Sequence, residues 1–160
     1  MARKINFRET IPSFLVVCEG QKTEPYYFRG FHVGHVLDVK VEGLGQSAVN
    51  LVREAVKLKN KEDYEQVWVV FDIDNCTPAQ VNEAIRLADE NDIRVAYSNQ
   101  AFELWYLLHF DYHNSSIDRN QYMSKLTKSL GVVYAKNAPG LYIRLLARQG
   151  TAIQNAKRLL

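Results

Sequence analysis

A short apolar run, Phe14 to Cys18, is followed at once by an acid, a glycine and the start of a helical pattern. A continuous apolar run of this length, rich in valine, is typical of a strand buried on both faces of a parallel sheet. Glu19 ends the run, Gly20 permits a tight turn because it has no Cβ, and Pro25 suits a first helical turn. The stretch therefore predicts a strand, a loop and a helix. Glu19 lies at the carboxyl end of the strand, where sites form in open α/β sheets.

A second buried-strand pattern begins at Val67 and ends in two aspartates, Asp72 and Asp74. Side chains alternate along an extended chain, so these two aspartates project to the same side. If this strand and the first are parallel, Glu19, Asp72 and Asp74 meet at one edge of the sheet. Three clustered carboxylates repel one another unless a cation lies between them, and hard oxygen ligands suit Mg²⁺ or Mn²⁺.

Apolar strand patterns alternate with helical patterns through the first two thirds of the chain, and this order predicts right-handed crossovers in an α/β fold. We expect four mainly parallel strands near residues 13–18, 36–42, 66–72 and 93–98, flanked by helices in a Rossmann-like arrangement. Residues 1–110 form the predicted α/β core. Residues 111–160 form a helical extension that we expect to pack on the same domain.

The two regions differ in charge. Residues 1–110 hold 12 Lys/Arg and 16 Asp/Glu, whereas residues 111–160 hold 8 Lys/Arg and 2 Asp/Glu. A basic segment beside an acidic metal site suits a protein that binds nucleic acid, although a merely solvated basic surface explains it equally well.

Composition also bears on where the protein works. No apolar run approaches the ~20 residues that span a bilayer, so no membrane association is expected. The two cysteines, Cys18 and Cys76, lack a zinc-binding spacing with the histidines. We interpret them as reduced thiols of a cytoplasmic protein.

Two further charged residues are candidates for the site. Glu103 lies in a predicted helix, residues 101–110, that is apolar nearly all round, and a buried carboxylate needs a partner. It either joins the metal site or its surroundings, or it pairs with a basic side chain or a helix N-terminus. Lys22, in the loop after Glu19, is well placed to hold a phosphate oxygen, or it simply neutralises the acids.

The first helix carries three consecutive aromatic residues, Tyr26, Tyr27 and Phe28. Three adjacent side chains on a helix cannot all face one way. Phe28 is the one expected in the core, and Tyr26 or Tyr27 is available to face the site.

Three blocks of sequence resemble the RloB-like family, which includes the abortive-infection component AbiLii: residues 17–28 (VCEGQKTEPYYF), 69–74 (VVFDID) and 98–110 (SNQAFELWYLLHF). One acid that closes the first strand and Asp-x-Asp that closes a later one also resemble the Toprim domain of primases, topoisomerases and OLD-type nucleases. The resemblance implies acid/base work for Glu19, metal ligation by Asp72 and Asp74, and a place for Glu103 in the site. It also implies a role in phage defence and an AAA-type ATPase as partner. A glycine usually follows Asp-x-Asp in Toprim domains, and residues 75–78 (NCTP) depart from that pattern, which leaves the placement of a second metal open.

Together these features predict a Mg²⁺-dependent nuclease that hydrolyses phosphodiesters in DNA or RNA. Its predicted catalytic residues are Glu19, Lys22 and Glu103, and its predicted metal ligands are Glu19, Asp72 and Asp74. Two alternatives stay open: a non-catalytic or regulatory partner subunit of an AAA-type ATPase, and an enzyme of phosphate transfer on a small nucleotide.

Overall fold

A four-stranded, all-parallel sheet with the order β2-β1-β3-β4 forms the centre of the protein. The computed structural model describes residues 11–74, 76–115, 117–136, 138 and 140–159. The strands are β1 (Ser13–Cys18), β2 (Asp38–Gly43), β3 (Gln66–Asp72) and β4 (Arg94–Ser98). The predicted Rossmann-like α/β sheet is therefore confirmed. β2 starts two residues later than expected because Val33 and Leu37 form a separate antiparallel bridge before it.

The register of the sheet brings the ends of β1 and β3 together. Cys18 lies opposite Val70, and the Glu19 N–H donates to the Val70 carbonyl oxygen over 2.8 Å. Asp72 ends β3 and lies opposite Ser98 at the end of β4. Glu19 and Asp72 therefore lie at the same edge of the sheet, as the parallel arrangement requires.

Seven helices accompany the sheet in the described residues. They are α1 (Thr23–Phe28), α2 (Ala48–Lys59), α3 (Pro78–Glu90), α4 (Glu103–Leu108), α5 (Arg119–Leu130), α6 (Leu141–Leu146) and α7 (Gln149–Lys157), and a 3₁₀ turn, Arg29–Phe31, follows α1 directly. α3 begins with a capping box between Thr77 and Gln80, and α5 ends at Gly131, whose φ of 69° lies in the left-handed region that favours glycine. None of the described helices has the length and apolar character needed to cross a membrane.

The sheet separates two hydrophobic clusters. Leu15 and Val17 of β1 face a cluster that includes α2 and α3, whereas Val16 and Cys18 face a cluster that includes α1 and α4. Side chains of α5 and α6 belong to the second cluster. This second face also holds the helices that surround the candidate site, so the 111–160 region contributes directly to the packing around it.

The aromatic residues of α1 are arranged differently from the sequence expectation. Tyr27 is the buried one, at 3% exposure, and its ring contacts Phe28, Phe102 and Trp105 with centroids 5.4–6.4 Å apart. Phe28 is half-buried and packs against the cluster from outside, and Tyr26 is 49% exposed. The prediction that Phe28 fills the core was wrong in this respect, because the short α1 turns its middle aromatic residue toward α4.

Candidate acidic active site

A cavity of about 440 Å³ opens at the carboxyl ends of β1 and β3. We call it the acidic cavity because carboxylates from three parts of the chain line it, accompanied by two lysines. Its charged lining residues are Glu19, Lys22, Glu24, Asp72, Glu103 and Lys136. The cavity therefore combines acids that suit a cation with amines that suit a phosphate.

Glu19 and Asp72 are linked directly at the base of this cavity. The backbone N–H of Asp72 donates to Glu19 Oε2 over 3.1 Å. The Ser98 hydroxyl donates to Asp72 Oδ1 over 2.7 Å. Adjacent strand ends thus fix both carboxylates, since each is held by a hydrogen bond from the next strand in the sheet.

Glu24 enters the cavity from the first turn of α1, although it is only 5% exposed. Its carboxylate lies directly against Gly20, so any side chain at position 20 would collide with it. The backbone N–H groups of Gly20 and of Glu24 itself stabilise the carboxylate. Glu24 was not among the predicted site residues. The signal that could have placed it in the site is the glycine four residues before it.

Glu103 lies at the start of α4 and is 5% exposed. It has the partners that a buried carboxylate requires: the Tyr134 hydroxyl donates to Glu103 Oε1 over 3.3 Å, and Lys136 Nζ lies 3.6 Å from the same oxygen. Glu103 therefore both lines the acidic cavity and pairs with a basic side chain, which combines two outcomes that the sequence had presented as alternatives. Lys136 was missed by sequence reasoning, because no local pattern connects it with the strand ends.

The remaining predicted residues lie nearer the outside. Lys22 is exposed and lines the cavity together with Glu19. Asp74 is exposed and is not among the described residues that line the cavity. Its neighbour Asn75 lies outside the described residues. Ligation of a metal by Asp74 stays a prediction.

The crowding of acids changes their protonation. Burial, together with the charges of Glu24, Glu19 and Asp74, raises the pKa of Asp72 from 3.8 to about 7, although the hydrogen bond from Ser98 opposes the rise. Burial and the charges of Glu103 and Glu19 also raise the pKa of Glu24. Without a cation, Asp72 therefore keeps its proton up to near neutral pH, because burial disfavours the charged form and the neighbouring carboxylates add to that effect.

A family model described as RloB-like protein matches residues 14–160. The chain belongs to the RloB-like protein family. The match covers the acidic cavity and continues through α5, α6 and α7, so the helical extension lies within the region that the family model describes. No significant match was found among curated proteins or among solved structures.

The side chains of this RloB-like protein have the chemistry of a Mg²⁺ or Mn²⁺ site, since carboxylate oxygens are the ligands that hard cations prefer. Burial is the main cause of the raised pKa values of Asp72 and Glu24, and the charges of neighbouring carboxylates add to it. No three His, Cys, Asp or Glu side chains in the described part of the chain converge on one point where they could share a metal. Glu19 and Asp72 instead hold hydrogen bonds within the sheet. The carboxylates are thus of the chemical type that a divalent cation prefers, but the described side chains are not arranged as a three-ligand site.

Proposed function

We propose that this RloB-like protein is a Mg²⁺-dependent phosphodiesterase that cleaves nucleic acid in defence against phage. The observation that supports this proposal most is the acidic cavity, in which four carboxylates and two lysines surround one open space at the carboxyl ends of parallel strands. The position of Glu19 and Asp72 at neighbouring strand ends also resembles the arrangement of a Toprim domain.

Glu19, Glu24 and Asp72 are the residues that would hold the cation, with Asp74 as the further ligand that the sequence predicts. A bound Mg²⁺ supplies an activated water and stabilises the oxygen that leaves the phosphodiester. Glu19 is the residue that we assign to proton transfer, on the basis of the Toprim resemblance. Glu19 lines the cavity, and its Oε2 accepts a hydrogen bond from the Asp72 N–H.

The two lysines have separate parts in this proposal. Lys22 follows Glu19 in the loop and would bind a non-bridging phosphate oxygen as a flexible point charge. Lys136 also lines the cavity and is paired with Glu103. The Tyr134 hydroxyl holds the Glu103 carboxylate in place. We assign to Glu103 the role of positioning Lys136 against the phosphate, because the two side chains form an ion pair.

A cleavage assay tests the proposal. End-labelled single-stranded and double-stranded DNA and RNA are incubated with the protein in Mg²⁺, in Mn²⁺ and in EDTA, with and without an ATPase partner. We expect metal-dependent cleavage that is lost in Glu19→Gln and Asp72→Asn. Asp89→Asn is the matched control, since Asp89 is an exposed acid of α3 that does not line the cavity. Equal cleavage by all variants, or no cleavage on any substrate, would contradict the proposal.

A second candidate function is that of a subunit that docks on an AAA-type ATPase. It is favoured by large apolar side chains that are exposed on the helical extension. These include Val133 at 82%, Ile143 at 69%, and Leu146 and Ile153 at 46% each. A protein that binds the ATPase through these side chains but never cleaves nucleic acid would support this alternative.

A further inference from the structure

A smaller cavity of about 160 Å³ adjoins the acidic cavity. We call it the tyrosine cavity because four tyrosines contribute to its walls. Its main lining residues are Tyr26, Tyr27, Gly30, Tyr106, Lys136 and Tyr142. Its volume is several times the ~30 Å³ that one water molecule occupies in the liquid, so the space suits a small planar group better than a single solvent molecule.

Two features place the tyrosine cavity beside the proposed site of chemistry. Lys136 lines both cavities. α1 also serves both, because Glu24 faces the acidic cavity while Tyr26 and Tyr27 line the tyrosine cavity. The two cavities are therefore neighbours that share the Lys136 amine. This arrangement suits a nucleotide chain whose phosphate lies in the acidic cavity and whose neighbouring base lies in the tyrosine cavity.

The walls of the tyrosine cavity differ in rigidity. Tyr142 packs directly on Gly30, where any Cβ would collide with its ring, and its centroid lies 5.5 Å from that of Tyr27 and 5.1 Å from that of Phe31. Tyr26, in contrast, is 49% exposed, and its described ring contact is with Arg29, whose Cζ lies 6.0 Å from the ring centroid. Tyr142 is thus fixed by packing, whereas Tyr26 presents its ring to solvent beside the cation of Arg29.

We propose that the tyrosine cavity binds an unpaired nucleobase next to the phosphate held in the acidic cavity, which makes single-stranded or locally opened nucleic acid the substrate class. This inference rests on the proposed function. Aromatic faces stack on any base, and the positive charges of Lys136 and Arg29 suit the phosphates on either side of it. A base inside a duplex must first leave its stack, which is energetically unfavourable, so a site of this kind favours strands whose bases are already free.

The test measures binding without cleavage. Fluorescence anisotropy is recorded in EDTA with short labelled single strands, with a duplex of the same length, and with single strands that carry one abasic position, moved along the strand in turn. For the wild type we expect tighter binding of the single strand than of the duplex at equal salt. We also expect one position at which loss of the base weakens binding about tenfold, in the range that aromatic stacking contributes per base.

Tyr26→Ala is the decisive variant, because its exposed side chain is removed with little effect on packing. It should weaken binding of the intact strand about tenfold and should abolish the sensitivity to the abasic position, since the same contact cannot be lost twice. Tyr97→Ala is the matched control: Tyr97 is 56% exposed on β4 and is not among the described lining residues of either cavity. It should bind like the wild type. Circular dichroism melting of each variant verifies that the fold is retained.

The outcomes separate this inference from the proposed function. Base-dependent binding that requires Tyr26, in a protein that never cleaves, would keep the nucleobase site and overturn the phosphodiesterase assignment. Cleavage that requires Asp72, combined with unchanged binding in Tyr26→Ala or with equal affinity for single strand and duplex, would overturn the nucleobase site alone. Absence of nucleic-acid binding in every arm would also overturn it.

Discussion

Replacement of Asp72 by asparagine tests whether ionisation of Asp72 in the acidic cavity lowers the free energy of unfolding. The asparagine keeps an amide oxygen that accepts the hydrogen bond from the Ser98 hydroxyl, which joins Asp72 Oδ1 over 2.7 Å in the wild type. The substitution removes the negative charge and the titratable carboxyl group. In metal-free buffer, the difference between the two proteins therefore reports the cost of ionising Asp72 inside the folded cavity.

The sign of the effect follows from the pKa of Asp72, which rises from 3.8 to about 7 on folding. Between these two pH values the folded protein binds more protons than the unfolded chain, so the free energy of unfolding falls as the pH rises. One pKa unit corresponds to ~1.4 kcal/mol, which sets a ceiling of ~4 kcal/mol for this shift. Because solvent reaches part of the carboxyl group and screens its charge, we expect about half of that ceiling, ~2 kcal/mol.

Urea unfolding in EDTA, followed by the fluorescence of Trp68 and Trp105, measures the difference between pH 4 and pH 8. We expect Asp72→Asn to match the wild type near pH 4 and to be ~2 kcal/mol more stable at pH 8. Asp89→Asn, which removes an exposed acid outside the cavity, should follow the wild-type curve. An Asp72→Asn protein whose stability differs from that of the wild type by the same amount at pH 4 and at pH 8 would refute the reasoning, because the pKa of Asp72 would then be unchanged by folding.

Three further predictions concern neighbouring parts of the molecule. Gly20→Ala places a methyl group where the Glu24 carboxylate lies, so it should displace Glu24 and weaken Mn²⁺ binding; unchanged affinity in a titration would show that Glu24 does not bind the cation. Tyr134→Phe removes the hydroxyl that donates to Glu103 and should lower the free energy of unfolding by ~1 kcal/mol in urea titrations. An unaltered unfolding midpoint would show that Lys136 alone is enough to satisfy Glu103. Neutralising the exposed basic residues of the extension should weaken nucleic-acid binding and flatten its salt dependence, whereas an unchanged slope would indicate a solvated surface or a protein interface. The four residues to replace together are Lys125, Lys128, Arg144 and Arg148.

The sheet could be predicted from the sequence because strands buried on both faces leave continuous apolar runs that end abruptly. Glu19 and Asp72 were located by those endings, and Glu103 by the contrast between an acid and an apolar helix. β2 was the least accurate strand: it starts two residues later than expected, after the antiparallel bridge between Val33 and Leu37.

The rest of the site depends on contacts between distant parts of the chain. Lys136 reaches Glu103 across 33 residues, and no periodicity in either segment specifies that pair. Glu24 reaches the cavity only because Gly20 leaves room for its carboxylate. The burial of Tyr27 in place of Phe28 depends on how α1 packs against α4, which neighbouring residues in the sequence do not determine.

The central claim is that the carboxylates of the acidic cavity hold the divalent cation on which phosphodiester cleavage depends. Calorimetric titration of Mn²⁺ into the wild type, Asp72→Asn, Glu24→Gln and Asp89→Asn at one neutral pH tests it most directly. We expect Mn²⁺ to bind to the wild type and to Asp89→Asn. We expect affinities at least about tenfold weaker in Asp72→Asn and Glu24→Gln, because even the loss of a residue that only contacts a metal ligand typically weakens metal binding about tenfold or more. Equal affinity in all four proteins, or no binding by the wild type, would contradict the claim.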